Sequence, residues 1–383
     1  MGSGRTDKWL LISVILLCLG GVLMVYSSSA ILASVEASSQ TAYVRALLPK
    51  LILGSICLVV LSRVPVHWFK GRVAVWVLIL SALMLLALVL PLGLTADGRG
   101  TKRFLNLGLL QIQPAEFARL GLVIFLSWYA SRNGDWVEKG WIGLRVPLAA
   151  IFGLAALIAI QPNLSSAALL IALGFAVMFL AGQPIRRLAL GALPLALIPL
   201  VIQPYQLKRI EQFVIQGGDG TVPYQVEQSL IALGSGGIAG KGLGEGLQKY
   251  FYLPFPHTDF ILGVIGEELG FLGVFILFVL FGIVIHRGLF IARNVPDRFS
   301  QLLAAGVTAS VAMNFLLHSM VAMGLGPVTG VPLPFISHGG SSLMVNLIAI
   351  GVLLSISRSV RRQQQHHLSH GTLLGVERLS RNE

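Results

Sequence analysis

Ten long apolar runs, separated by polar segments, set the pattern of this chain. They fall near 9–33, 46–64, 73–95, 115–131, 146–160, 164–182, 187–203, 259–286, 300–324 and 339–358. Most approach the roughly 20 apolar residues that a helix needs to cross a bilayer. The first run is too long for a cleaved leader's apolar core and reads as a retained helix. The fifth and sixth are split only by Gln161, Pro162 and Asn163, which predicts a tight helical hairpin. The pattern therefore predicts an all-α, polytopic membrane bundle of about ten transmembrane helices. It places a large extracytoplasmic loop, 204–258, between helices seven and eight. Residues 1–358 form the transmembrane domain, and a polar tail over 359–383 is expected to be disordered and cytoplasmic.

Composition sharpens this. Of the 383 residues, 55% are hydrophobic and only 11% charged, well under the roughly 25% of a soluble domain. A net charge of +12 would suggest nucleic acid in a soluble protein. Here the basic residues follow the loops instead. With the N-terminus inside, every inner segment holds at least two of them, from Arg5 and Lys8 to the five arginines after position 357. Those segments hold 18 of the 28 Lys and Arg residues, as the positive-inside rule requires. Cys18 and Cys57 lie within apolar runs, so no disulfide framework is implied.

The exceptions carry chemistry. Arg99, Lys102 and Arg103 sit in an outer loop where topology asks for no cations. Glu116 and Arg119 lie one turn apart at the head of the fourth run, either as a self-neutralising pair or as an anion-holding arginine oriented by its neighbour. The eighth run opens Pro254-Phe255-Pro256-His257-Thr258-Asp259. Thr258 is expected to cap that helix and Asp259 to sit in its first turn. There Asp259 is either a second capping residue or a general base beside a cavity. Glu267 and Glu268, deeper in the same helix, are expected to find structural partners.

Two tempting motifs fail. The run Gly234 to Gly242 has Ser235 and Gly242 where a nucleotide-binding phosphate loop needs Gly and Ser or Thr. Its Lys241 still leaves room for a phosphate-wrapping role. Ser337 and His338 are adjacent, and adjacent side chains do not make a hydrolase pair. The histidines around 363–367 are not favoured as metal ligands. The residues alone give a bundle with an outward cavity, several outer cations and one well-placed carboxylate. Transport and chemistry both remain open on that basis.

Longer motifs resemble the SEDS family of cell-shape, division and sporulation proteins (FtsW, RodA and SpoVE). The resemblance runs from Asp7 to Arg358 and rests on Met24 to Ser28, Lys102-Arg103-Phe104, Gln113-Pro114-Ala115-Glu116, Tyr224-Gln225, Gln228 to Gly242, His257 to Phe260, Gly266 to Gly270 and Leu333 to Ser342. It implies a peptidoglycan glycosyltransferase that polymerises lipid II at the outer face of the bacterial cytoplasmic membrane, with both termini cytoplasmic. It implies Asp259 as catalytic base, with the undecaprenyl diphosphate-linked glycan as substrate. Lys102, Arg103, Arg119 and Lys241 are the expected cations, and Gln113, Glu116, His257, Thr258, Ser337 and Ser341 complete the expected substrate site. The implied partners are a class B penicillin-binding protein and the divisome or elongasome; no nucleic acid is expected. No metal-ligand set is present, and a divalent cation, magnesium or manganese, is the one cofactor a diphosphate would admit. The stretches at 24–28 and 248–254 look like the division branch, and 331–335 is closer to the elongation branch, so division is favoured. The chain departs from the family at Asn163, Arg119, Asn314, His318 and His338. A lipid II flippase and a non-enzymatic scaffold are the competing readings.

Overall fold

The structure is a computed structural model that describes residues 6–37, 39–90, 103–106, 111–132, 136–195, 223–250 and 252–359. It is helical almost throughout. The helices are α1 (Lys8–Ala37), α2 (Ala42–Leu61), α3 (Arg72–Val89), α4 (Pro114–Arg132), α5 (Trp141–Ile160), α6 (Leu164–Leu180), α7 (Ile185–Gly191), α8 (Tyr224–Ser235), α9 (Ile261–Asn294), α10 (Arg298–Ala322) and α11 (Gly340–Ser359). A single 3-10 turn (Val66–Phe69) follows α2. A two-residue hairpin, β1 (Leu105–Asn106) with β2 (Gln111–Ile112), precedes α4.

Among the described residues, seven helices are long and apolar enough to cross a membrane: α1, α2, α3, α5, α9, α10 and α11. The expected fourth run is helical, but Glu116 and Arg119 lower its hydropathy. The sixth is a shorter apolar helix of 17 residues. The expected seventh span begins as α7 and then passes outside the described residues, as do 204–222 of the large loop and the tail beyond 359. The predicted hairpin at 161–163 joins α5 to α6.

Helix α11 is buried along nearly its whole length and forms the centre of the bundle. The other helices turn apolar side chains outward: Trp9, Ile12, Leu16 and Leu19 on α1, and Phe271, Phe275 and Ile276 on α9. Water would penalise such a surface, and hydrocarbon does not. Inside, Phe281 of α9 stacks on Phe315 of α10 with ring centroids 4.2 Å apart. At the end where α1 begins, Asp7 pairs with Arg287 of α9 and also accepts from the amide of Leu10 at 3.1 Å.

One helix is deliberately broken. Inside α9, Gly270 adopts φ 65°, ψ −165°, so the ladder of backbone hydrogen bonds is interrupted. The glycine-rich segment after α8 repairs it. The amides of Lys241 and Gly242 donate to the carbonyls of Glu267 and Glu268, both at 3.0 Å. In return, the amides of Phe271 and Leu272 donate to Gly237 and Ile238 at 2.9 and 3.1 Å. Unpaired backbone in lipid costs several kcal/mol per group, so a broken helix needs such a partner. The contact leaves no room for side chains: a Cβ on Gly240 would lie 2.2 Å from the Glu268 carbonyl oxygen.

Candidate active site

Four segments meet at the bundle end where α9 and α11 begin. They are the approach to α9 (252–260), the loop from 323 to 339, the first turns of α2, and the β1–β2 hairpin. Helix α9 starts later than the sequence suggested. Its first helical residue is Ile261, Phe260 is the N-cap, and Thr258 is not the cap. Asp259 therefore lies just before the helix and not in its first turn. Phenylalanine has no side-chain acceptor to offer the first amides, and the Phe260 carbonyl instead takes the amide of Gly263 at 3.0 Å.

The two loops are laced together around Asp259. Ser337 Oγ donates to the carbonyl of Thr258 at 2.7 Å and accepts the amide of Leu333 at 2.9 Å. The amide of His338 donates to the carbonyl of His257 at 2.9 Å. Asp259 is half-buried between these ties. Its Oδ2 lies 3.6 Å from where a Cβ on Gly330 would stand, and Gly330 has φ 69°. A bare, left-handed backbone thus faces the carboxylate. Phe255 and Phe335, at φ 53° and 65°, are unusual for aromatic residues and flank the same place.

An imidazole cluster backs the site. His257 lies 4.5 Å from the Tyr43 ring of α2 and 5.7 Å from His338. Burial lowers the pKa of His257 to about 4, with the neighbouring His338 adding to the effect. Burial lowers His338 to about 4 as well, helped by the charge of Lys50. Both rings are therefore neutral near pH 7. Lys50 of α2 runs over the start of α11, where a Cβ on Gly340 would meet its Cδ at 2.1 Å. Among the described residues, no carboxylate forms an ion pair with Lys50.

The expected cations are placed differently from one another. Arg119 is buried, pairs with Glu116 and donates to Asn314 Oδ1 of α10 at 2.9 Å. Lys241 pairs with the buried Glu267 at 2.8 Å. Glu267 also accepts the amides of Leu247 and Gln248. Glu268 takes Lys249 at 2.7 Å and Ser27. Arg103 donates to the carbonyl of Pro162 at the α5–α6 corner. Lys102 lies outside the described residues. Ser341 Oγ donates to the carbonyl of Gln111 at 3.0 Å and accepts the amide of Gln113 at 2.9 Å, pinning the hairpin to α11. The Thr258 hydroxyl points back to Phe255 at 3.4 Å. Among the described residues, no three His, Cys, Asp or Glu side chains form a metal-ligand set.

Lys50, Tyr43 and Gly330 were not singled out from the sequence. Lys50 had a readable signal, a lone lysine inside an apolar run. Tyr43 and Gly330 had none, because only folding brings them to His257 and Asp259.

The family model described as cell cycle protein, covering FtsW, RodA and SpoVE, matches residues 8–362. The chain is 35% identical over 359 residues to the probable peptidoglycan glycosyltransferase FtsW of Trichlorobacter lovleyi, spanning 93% of this chain and 94% of that one. It is 34% identical to the stage V sporulation protein E of Bacillus subtilis, spanning 93% and 98%. Among solved structures, it is similar to a chain of a peptidoglycan synthase complex that coordinates polymerization and crosslinking (TM-score 0.75, 26% identity, 93% of this chain and 98% of that one). It is also similar to the rod shape determining protein RodA of Thermus thermophilus (TM-score 0.68, 26% identity, 92% and 97%).

Proposed function

The chain belongs to the FtsW, RodA and SpoVE family of cell cycle proteins, and from that premise we propose that it is a peptidoglycan glycosyltransferase in which Asp259 is the general base. The substrate is lipid II. Asp259 takes the proton from a sugar 4-hydroxyl of the acceptor, that oxygen attacks the anomeric carbon of the growing strand, and undecaprenyl diphosphate leaves. The observation that carries this reading is the setting of Asp259. It is half-buried, held by the Ser337–Thr258 and His338–His257 ties, and faced by the bare backbone of Gly330. A base works only when held within reach of the proton it takes.

The leaving diphosphate needs positive charge. Arg119 and Lys241 are each engaged by a glutamate, which favours Lys50 for this role, with Arg103 and Lys102, which precede β1 in the sequence. His257 and His338 stay neutral behind the site. Any divalent ion would depend chiefly on oxygens of the diphosphate, so no step is assigned to it. The chain is a multi-pass membrane protein. We place it in the bacterial cytoplasmic membrane with both termini inside, working with a crosslinking penicillin-binding protein during division.

The test is polymerisation of labelled lipid II by the purified protein with its transpeptidase partner. Wild type should form glycan, and folded Asp259→Ala and Asp259→Asn should form none. Equal product from wild type and variants would overturn the Asp259 assignment. No product from any of them, with an active control, would favour the flippase or scaffold reading.

A further inference from the structure

A cavity lies at the bundle end opposite Asp259, where α2 and α11 finish and the α9–α10 turn comes alongside. It has a volume of about 620 Å³, within the usual range of ligand sites. Three cations line it, Arg63, Lys70 and Arg358, against one carboxylate, Asp297. That carboxylate is already engaged. Lys70 binds it at 2.8 Å, and the amide and hydroxyl of Ser300 donate to it at 3.0 and 2.7 Å. Among the described residues, no carboxylate forms an ion pair with Arg63. Arg63 therefore leaves positive charge in the site for an anion.

We propose that this cavity binds the phosphate of an anionic phospholipid headgroup. Its cations stand at the ends of spanning helices, where headgroups lie. Part of its wall, Val64, Val66 and Val295, is apolar and suits the glycerol and first acyl carbons, while Ser62, Ser355 and Ser359 line it with hydroxyls. Trp68, 64% exposed on the turn beside it, is placed as an interfacial aromatic. A free phosphate shares the charge but not the need for those apolar walls.

The full-length protein in nanodiscs of neutral phosphatidylcholine, doped with phosphatidylglycerol or cardiolipin, would be followed by native mass spectrometry for retained lipid. Wild type should retain the anionic lipid over the neutral one. Arg63→Gln should weaken retention about fivefold, and Arg63→Gln with Arg358→Gln by more than tenfold. Arg63→Lys should restore most of it, which separates lost charge from lost fold. Equal retention of both lipids by wild type, or no change in the double variant, would overturn the site. Displacement of bound lipid by millimolar inorganic phosphate would reassign it to a small anion and overturn the headgroup claim.

Discussion

Ser337 Oγ stands 2.7 Å from the carbonyl oxygen of Thr258, the residue directly before Asp259. The same hydroxyl accepts the amide of Leu333 at 2.9 Å. One side chain thus joins both ends of its own turn to the approach to α9. The sequence motif marked Ser337 as a substrate contact, and the fold occupies both of its hydrogen-bonding roles internally. Its influence on chemistry then runs through the position of Asp259.

Ser337→Ala removes both bonds and leaves a buried amide and carbonyl unpaired, a loss of about 1–3 kcal/mol. If half of that loosens the carboxylate, turnover should fall about two- to tenfold with KM for lipid II little changed. Ser337→Thr, which keeps the hydroxyl, should recover most of the rate. A rise in KM with constant turnover would instead make Ser337 a substrate contact. Steady-state glycan synthesis separates the two.

The stitch between the glycine-rich segment and α9 predicts a sharp contrast between neighbouring glycines. Gly240 has φ 81°, and its Cβ would strike the Glu268 carbonyl oxygen. Gly240→Ala should cost about 3 kcal/mol or more. Gly234, in α8, has open space around its would-be Cβ, so Gly234→Ala should be neutral or stabilising by up to about 1 kcal/mol. Thermal unfolding in detergent measures both. Equal melting temperatures for the two variants would mean that the stitch does not close α9.

The bundle was legible because apolar length and loop charge are local properties of the chain. Asp259 was legible as a carboxylate after a proline-rich turn, although the helix begins two residues beyond it. The partners of the outer cations were not legible. Lys241 and Glu267 are 26 positions apart, and Arg119 meets Asn314 across two helices. Nothing in spacing encodes such a meeting. The family departures were read singly, yet the fold groups them. Arg119 bonds Asn314, while His318 reaches the carbonyl of Val331 at 2.9 Å, next to Gly330. His318 and His338 therefore meet at the loop facing Asp259, while Arg119 and Asn314 bond to each other within the bundle.

Lys249 and Glu268 form an ion pair buried on both sides, 2.7 Å apart. Breaking such a pair from one side leaves a stranded charge and costs about 3–5 kcal/mol. Lys249→Met and Glu268→Gln should each lower the melting temperature strongly. The double variant should be less destabilised than the sum, since neither charge is stranded. Strict additivity would mean that the two side chains act independently. Lys249 also donates to Ser27 of α1 at 3.3 Å, so the loss should loosen the outer end of α1 in hydrogen exchange.

The buried imidazoles predict how stability responds to acid. His257 and His338 titrate near 6.5 when unfolded and near 4 when folded, burial being the first cause in each. Below about pH 6.5 the unfolded chain takes up protons that the folded chain refuses until about pH 4. Unfolding is then pulled forward, so their contribution is complete above 6.5 and is lost as pH falls through that window. The melting temperature should be level from about pH 8 to 7 and then fall between about pH 6 and 4.5. Carboxylates also titrate near the lower end, so the comparison with His338→Phe isolates the histidine. That variant keeps a ring against Tyr43 and has nothing to protonate, so its curve should be flatter than that of wild type between about pH 6.5 and 5. Parallel curves for the two proteins would show that His338 is already charged in the folded state, and the neutral ring beside Asp259 would have to be given up.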